Sequence, residues 1–355
     1  MIDWRGLYKT ASAHRLFWPV IVLIAMLFAN AVYRPSFLSV EMKDGHLYGS
    51  IVDILRLSAP LILVALGMTL VIATGGIDLS VGSVCAISGA VACLHISKAP
   101  DQQSLATVLV ALALGLGLAL VLGAWNGVLV AIIGIQPIIA TLILMVAGRG
   151  LAQLITEGQI ITINSTPYKT IGVGHLLTLP FAIFIALAVT ALVAVFTRRT
   201  ALGMLIESVG GNAEASRLAG IRSRRITFLV YVICAGCAAV AGFMLTANVS
   251  SADGNNAGLW IELDAILAVV IGGTSLAGGR FSFTGTIIGA LIIQTLTTTV
   301  YAMNISPQTS LLFKAMVVIV VCLIQAPAFR AKLARRKPIA SPQATAETPK
   351  EQIPV

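Results

Sequence analysis

Charge is scarce in this chain. Only 10% of its 355 residues are Asp, Glu, Lys or Arg, where a soluble globular domain carries roughly 25%, so a water-facing surface cannot be covered. Aromatic residues make up 6%, and no folded basic face interleaved with them is present. Nucleic acid is therefore no expected partner, despite a net charge of +9. No G-x-x-x-x-G-K-[ST] loop occurs, which removes the usual cradle for nucleotide phosphates, and no H-E-x-x-H pair occurs either. The histidines His14, His46, His95 and His175 are scattered. Neither a metal, a cofactor nor a catalytic set is expected. The nearest approach to a serine hydrolase, Ser88-Gly89 with His95, is weak.

Cysteines are few, and all five (Cys85, Cys93, Cys234, Cys237, Cys322) fall inside apolar runs. There they behave as small packing residues and cannot frame extracellular disulfides. Cys234-x-x-Cys237 spells a redox motif, but its Ala and Gly neighbours favour packing.

What the chain has is apolar length. Hydrophobic residues make up 58%, in runs close to the roughly 20 residues a helix needs to cross a bilayer. About ten spans are predicted, at 17–33, 51–73, 80–96, 105–133, 138–155, 179–196, 226–247, 263–271, 284–302 and 311–325. This is an all-α polytopic membrane protein. The fourth span is longer than a bilayer requires and is expected to tilt or break at its glycines; the eighth is too short unless its glycine-rich tail also lies in the membrane.

Cations orient the spans. Arg5, Lys9 and Arg15 precede the first, and no small-residue cleavage site follows, so it reads as an uncleaved span with residues 1–16 in the cytoplasm. Arg330, Lys332, Arg335, Arg336 and Lys337 follow the last span, which places the tail 330–355 inside and makes the span count even. Alternation puts 197–225, with six arginines, in the cytoplasm and 248–262 outside. The transmembrane unit is then 17–329, and the Pro-, Ala- and Lys-rich tail is expected to be disordered.

Thr74 to Ser83 read TGGIDLSVGS, placing an aspartate between two apolar runs. An ionised carboxylate costs several kcal/mol in hydrocarbon. Asp78 or Ser80 can cap the next span at the cytoplasmic surface; alternatively, Gly75 and Gly76 break a helix whose freed groups line a translocation route. GGTSLAGG (residues 272–279) echoes GGIDLSVG (75–82), either as a repeated half or by chance. Asn126, Gln136, Thr141, Arg149, Gln153 and Gln294 are further polar residues within spans and should face other helices or a wet cavity.

The polar stretch 197–225 is too regular for a plain loop. Leu202, Leu205, Ile206 and Val209 recur at helical spacing. Gly210-Gly211 stops that helix, and Asn212 can cap a second one ending at Gly220. Such a pair can dock into another protein or lie on lipid.

Taken together, GMTLVIATGGIDLSVGS, AWNGVLVAIIGIQPIIATL, GGNAEASRLAGI and AILAVVIGGTSLAGGR resemble the permease subunits of ribose-type ABC sugar importers, the second family of binding-protein-dependent permeases. The resemblance runs from Leu57 to Gln325. Through MVAGRGLAQLIT and ADGNNAGLWIELDAILAVVIGG it is strongest to galactofuranose permeases. It implies a multi-pass subunit of the bacterial inner membrane that moves a monosaccharide, galactofuranose or a related pentose or hexose, into the cytoplasm. ATP hydrolysis would reside on a separate ATP-binding subunit with two nucleotide-binding domains. A periplasmic sugar-binding protein and a second permease, either a paralogue or a copy, are also implied. The stretch around Glu207, Gly211, Asn212, Ala215 and Gly220 resembles the coupling region seated in the ATPase. Gly75, Gly76 and Asp78, with Ser80, Asn126, Gln136 and Thr141, are candidates for the pathway; Asp253, Asn255, Asn256 and Trp260 are candidates for contact with the binding protein. The alternatives are a stand-alone secondary sugar carrier and a permease for another small polar solute, such as an autoinducer.

Overall fold

A computed structural model describes residues 16–303, apart from residue 44, together with residues 309, 312, 315, 316 and 319. The expected cytoplasmic N-terminus, the basic tail and, apart from the last four of those isolated positions, the tenth span lie outside the described residues. Seven described helices are long and apolar enough to cross a membrane. They are α2 (Ser50–Ala73), α3 (Val81–Lys98), α4 (Leu105–Gly127), α5 (Pro137–Ile155), α7 (Phe181–Arg199), α10 (Ser223–Val249) and α12 (Phe283–Ala302). Two more apolar helices are shorter: α1 (Phe17–Tyr33) has 17 residues and α11 (Ile261–Ile271) has 11. Between them lie α6 (Thr166–Val173) and the polar-segment helices α8 (Leu202–Gly211) and α9 (Ala213–Leu218).

Burial sorts the helices into centre and rim. Within their most apolar stretch, α2 is 83% buried, α3 72% and α10 61%, whereas α4 and α7 are only 22% buried. The inner helices approach closely through small residues, as expected where helix association depends on packing and not on escape from water. A Cβ on Gly67 of α2 would lie 2.8 Å from the Cα of Cys234, and one on Gly123 of α4 would lie 2.9 Å from the Tyr231 carbonyl, both in α10. Four of the cysteines belong to this packing: Cys85, Cys93, Cys234 and Cys237 are all buried, while Cys322 lies outside the described residues.

The fourth span does not break at its glycines. It stays α-helical to Gly127, widens into a π-helical turn over Val128–Ile133 and stops at Gly134, where φ is +86°. Gly115 and Gly123 are instead points of helix contact, the former against the Ser88 carbonyl.

Among the described residues, three small antiparallel pairs join connecting segments. β1 (Glu41–Lys43) pairs with β2 (His46–Tyr48), and β4 (His175–Leu176) pairs with β5 (Leu179–Pro180). β3 (Ile161–Thr162) reaches across the chain to β6 (Ser251–Ala252), in register Ile161↔Ala252. That pair ties the segment after α5 to the segment after α10. Asn30 of α1 donates to Thr299 of α12 at 2.8 Å, an interhelical bond inside the apolar region.

Candidate functional site

Asp78 is buried, 2% exposed, and so does not lie at an open surface. Its Oδ1 accepts the Ser80 backbone N–H at 2.9 Å and the Ser80 hydroxyl at 2.6 Å. The Ser80 oxygen in turn accepts from Asn126 Nδ2 of α4 at 2.8 Å. The cap reading needs correcting here: Ser80 is the N-cap of α3, yet its side chain bonds no helix N–H, because the hydroxyl is committed to Asp78. The carboxylate orders the turn before the helix. Thr141 of α5 joins from the other side, with Ile77 O at 3.2 Å.

Gly76, Asp78, Ser80, Asn126 and Thr141 are thus brought into one buried knot. Gly75 and Gln136 are exposed at its edge. Two buried polar atoms beside the knot have no partner among the described residues: the amide oxygen Oδ1 of Asn126 and the Tyr231 hydroxyl. Tyr231 packs on Gly76, where a Cβ would lie 2.6 Å from its oxygen. Sequence reading passed over Tyr231; its only signal was a phenol inside an apolar span.

The two glycine motifs are equivalent, with a shift of one residue. At the end of α2, Gly75 has φ +81°, Gly75 N–H bonds Ile72 O at 2.9 Å and Gly76 N–H bonds Val71 O at 3.0 Å. At the end of α11, Gly273 has φ +86°, Gly273 N–H bonds Val270 O at 2.9 Å and Thr274 N–H bonds Val269 O at 3.2 Å. Both are Schellman caps. They superpose Gly75 on Gly273, whereas the letters align Gly75 with Gly272.

Both breaks converge on α8. A Cβ on Gly210 would lie 1.7 Å from Ala73 O and 2.6 Å from Gly279 N, and Gly279 N–H donates to Ala73 O at 2.9 Å. The apolar face of α8, with Leu202 7%, Ile206 0% and Val209 3% exposed, is turned into the protein against α2, α7 and α10. It does not need lipid to cover it. Asn212 caps α9, accepting Ala215 N–H at 2.9 Å, and the chain leaves that helix at Gly220 with φ +85°. Gly211, Asn212, Ala215 and Gly220 are exposed, and Glu207 is partly so. Two apolar side chains project from the same unit, Met204 at 67% and Leu218 at 77% exposure. Arg217 and Glu214 pair on α9, and the guanidinium holds the carboxyl below its ordinary value.

The segment after α10 does not stay at one end of the molecule. Asp253 Oδ1 accepts the Asn255 N–H at 2.8 Å, and its Oδ2 accepts Asn256 Nδ2 at 2.7 Å. Burial pushes the Asp253 carboxyl up, but the bonds from Asn256 and the backbone, with Arg149 nearby, outweigh it and hold it below its usual value. Arg149 Nη1 donates to Ala257 O at 2.7 Å, and Gln153 donates to Asn255 at 2.7 Å, so α5 clasps the segment. The chain then turns inward. A Cβ on Gly258 would lie 2.9 Å from Gly82 O and 3.1 Å from Cys85 Cβ. Cys85 itself bonds Ala238 O of α10 at 3.0 Å. Ala238 lies eleven residues before Val249, which at 1.5 Å per residue is about 16 Å inward from that helix end. Glu262, 3% exposed, rests over Gly82 with one carboxylate oxygen unpartnered.

Comparison with known proteins matches residues 50–322 to the family model described as branched-chain amino acid transport system / permease component. The chain is 48% identical to the galactofuranose transporter permease protein of Escherichia coli, over 90% of this chain and 94% of that one. It is 41% identical to the fructose import permease protein of Bifidobacterium longum, over 90% of each. It is 37% identical to the ribose import permease protein of Haemophilus influenzae, over 87% of this chain and 91% of the relative. No solved structure matches. With its glycine-capped helix breaks, its apolar spans and a match covering most of its length, the chain belongs to this family of membrane transport permeases.

Proposed function

We propose that this chain is the transmembrane permease subunit of an ATP-binding cassette importer that carries a monosaccharide, galactofuranose or a related pentose or hexose, from periplasm to cytoplasm. The sugar class rests on the printed activities of the relatives. The observation that carries the coupling role is the seating of α8 on both helix breaks through Gly210. Ten spans with both termini in the cytoplasm, in a bacterial inner membrane, complete the reading. The partners are an ATP-binding subunit with two nucleotide sites, a periplasmic sugar-binding protein and a second permease.

The geometry suggests how force passes. An ATPase that closes on ATP moves whatever is seated in it, and the exposed α8–α9 unit offers Met204, Asn212 and Leu218 as its contact surface. Gly210 touches the Ala73 carbonyl and the Gly279 N–H together, so a shift of α8 reaches the α2–α3 break and the α11–α12 break at once. Differential binding of the ATPase to the two arrangements supplies the bias that any population shift requires. A self-sufficient carrier leaves the capped, projecting α9 without a role.

The test is purification of the tagged chain from its native membrane in mild detergent, with mass spectrometry of what accompanies it. Co-purification of a P-loop ATPase and a second permease is expected. Recovery of the chain alone under repeated mild conditions would overturn the reading.

A further inference from the structure

The last turn of α10 and the segment that follows it border a cavity of about 260 Å³, lined among others by Leu245, Thr246, Val249, Ser251, Asp253 and Asn256. Small-molecule pockets begin at about 300 Å³, so the space suits a compact cargo. Trp260 lies beyond it, exposed and with a left-handed backbone of φ +65° just before α11.

Three other elements hold its walls. Thr246 donates its one hydroxyl proton to Gly242 O at 2.9 Å, so the buried Tyr168 hydroxyl of α6, 2.7 Å away, donates to Thr246. Ser251 is paired with Thr162 in the β3–β6 ladder. The Asp253 carboxylate is fixed by Asn255 and Asn256, and Arg149 of α5 holds the Ala257 carbonyl at 2.7 Å. Walls held in this way need little reordering when a ligand enters, which removes part of the cost of binding.

Some polar capacity in the walls is uncommitted. The Ser251 hydroxyl and Asn256 Oδ1 bond no other described residue, and Asp253 Oδ2 accepts only Asn256 Nδ2, at 2.7 Å, and keeps a lone pair. Leu245 and Val249 add apolar surface to the same lining. A hydroxyl and two acceptors beside apolar side chains match a small neutral polyol, which has C–H surface and a rim of hydroxyls. An anionic cargo would meet the Asp253 carboxylate with no Lys or Arg among the lining residues. We propose that this cavity is the receiving site for the sugar, where Ser251, Asp253 and Asn256 bond its hydroxyls and Leu245 and Val249 pack on its C–H surface. The site rests on the sugar-importer reading, which also places this end of α10 on the outer side.

The test uses the complete importer in proteoliposomes, with ATP enclosed, binding protein outside and radiolabelled D-ribose, D-fructose and D-galactose as probes. Uptake is expected to fall about fivefold in Ser251→Ala, the effect of losing one hydrogen bond to the cargo, and further in Ala257→Trp, which fills the cavity. Thr170→Ala, which removes a hydroxyl of α6 that does not line the cavity, should keep the parent uptake. Retention of the ATPase and of the binding protein should be unchanged in all three, which separates a lost cargo contact from lost assembly. Parent uptake by both Ser251→Ala and Ala257→Trp would overturn the site and leave the importer standing. No uptake of any probe by the parent chain would overturn both. In a second measurement, Ser251→Cys should react with a membrane-impermeant thiol reagent, and the transported probe at saturating concentration should slow that reaction severalfold. A cysteine that is unreactive, or that no transported probe protects, would overturn the site.

Discussion

Gly210 and Ala73 meet backbone to backbone, and the carbonyl they share is already bonded. A Cβ on Gly210 would lie 1.7 Å from the Ala73 oxygen, which also accepts the Gly279 N–H at 2.9 Å. The contact joins the polar segment to two helix breaks by backbone alone. No side chain can flex to absorb an intrusion there.

Gly210→Ala should therefore separate α8 from the breaks while the chain still inserts. Sugar uptake is expected to fall about tenfold, within the range of a coupling free energy, with ATP hydrolysis by the assembled complex no longer stimulated by loaded binding protein. Gly117→Ala on α4 is the control, since a Cβ there meets nothing within 4 Å and the position lies outside the coupling segment. Equal transport by the two variants would remove Gly210 from the coupling route.

Asn212 tests the second helix. Asn212→Ala removes the bond to Ala215 N–H, a loss of about 1 kcal/mol for an N-cap, whereas Asn212→Asp retains an acceptor. Asn212→Pro additionally loses the N–H that bonds Ser208 O at 3.1 Å. The expected order of ATPase retention on a membrane pull-down is wild type, Asp, Ala, Pro. A pull-down indifferent to all three would mean that α9 does not meet the ATPase.

Asp78 separates geometry from charge. Asp78→Asn keeps an oxygen for the Ser80 N–H and hydroxyl, so thermal stability in detergent should change little. Asp78→Ala leaves both donors buried without a partner, which costs about 1–3 kcal/mol for each unsatisfied group. A clear fall in melting temperature is expected for Ala alone. If uptake also survives in Asp78→Asn, the charge plays no part in transport.

Arg149 clasps the inward-turning segment through Ala257 O and Gly254 O. Arg149→Met should free residues 254–257, which carry Asn255 and Asn256. The measurement is the rate at which a cysteine placed at Asn255 reacts with an aqueous thiol reagent, expected to rise severalfold over the same cysteine in the parent. An unchanged rate would show that Gln153 and the Asp253 turn hold the segment without Arg149.

Much of this was legible one element at a time. Apolar run length marked nine of the helices to within a few residues, and Asn212 and Gly220 announced the bounds of α9, because hydropathy and capping act over a turn or two of chain. The letters also showed that Asp78 stood in unusual company. They misplaced its bond: a cap and a turn-forming hydrogen bond use the same residue types at the same spacing, and only the position of the Ser80 hydroxyl tells them apart. The fourth span was expected to tilt or break at its glycines, and of the two the break is not found at Gly115, Gly117 or Gly123, since glycine in a membrane helix serves close packing as readily as bending.

The sequence by itself determined a polytopic helical membrane protein, the pairing of two short helices in its arginine-rich segment, and a resemblance specific enough to name its family. Only the tertiary structure decided that Gly210 touches Ala73 and Gly279 together, that Tyr231 stands over Gly76, and that the chain after α10 turns so that Gly258 packs on Gly82 and Cys85 of α3. These contacts join residues far apart in the chain and depend on how closely helices approach, which is set by the summed shapes of many side chains and is written in no single stretch of them.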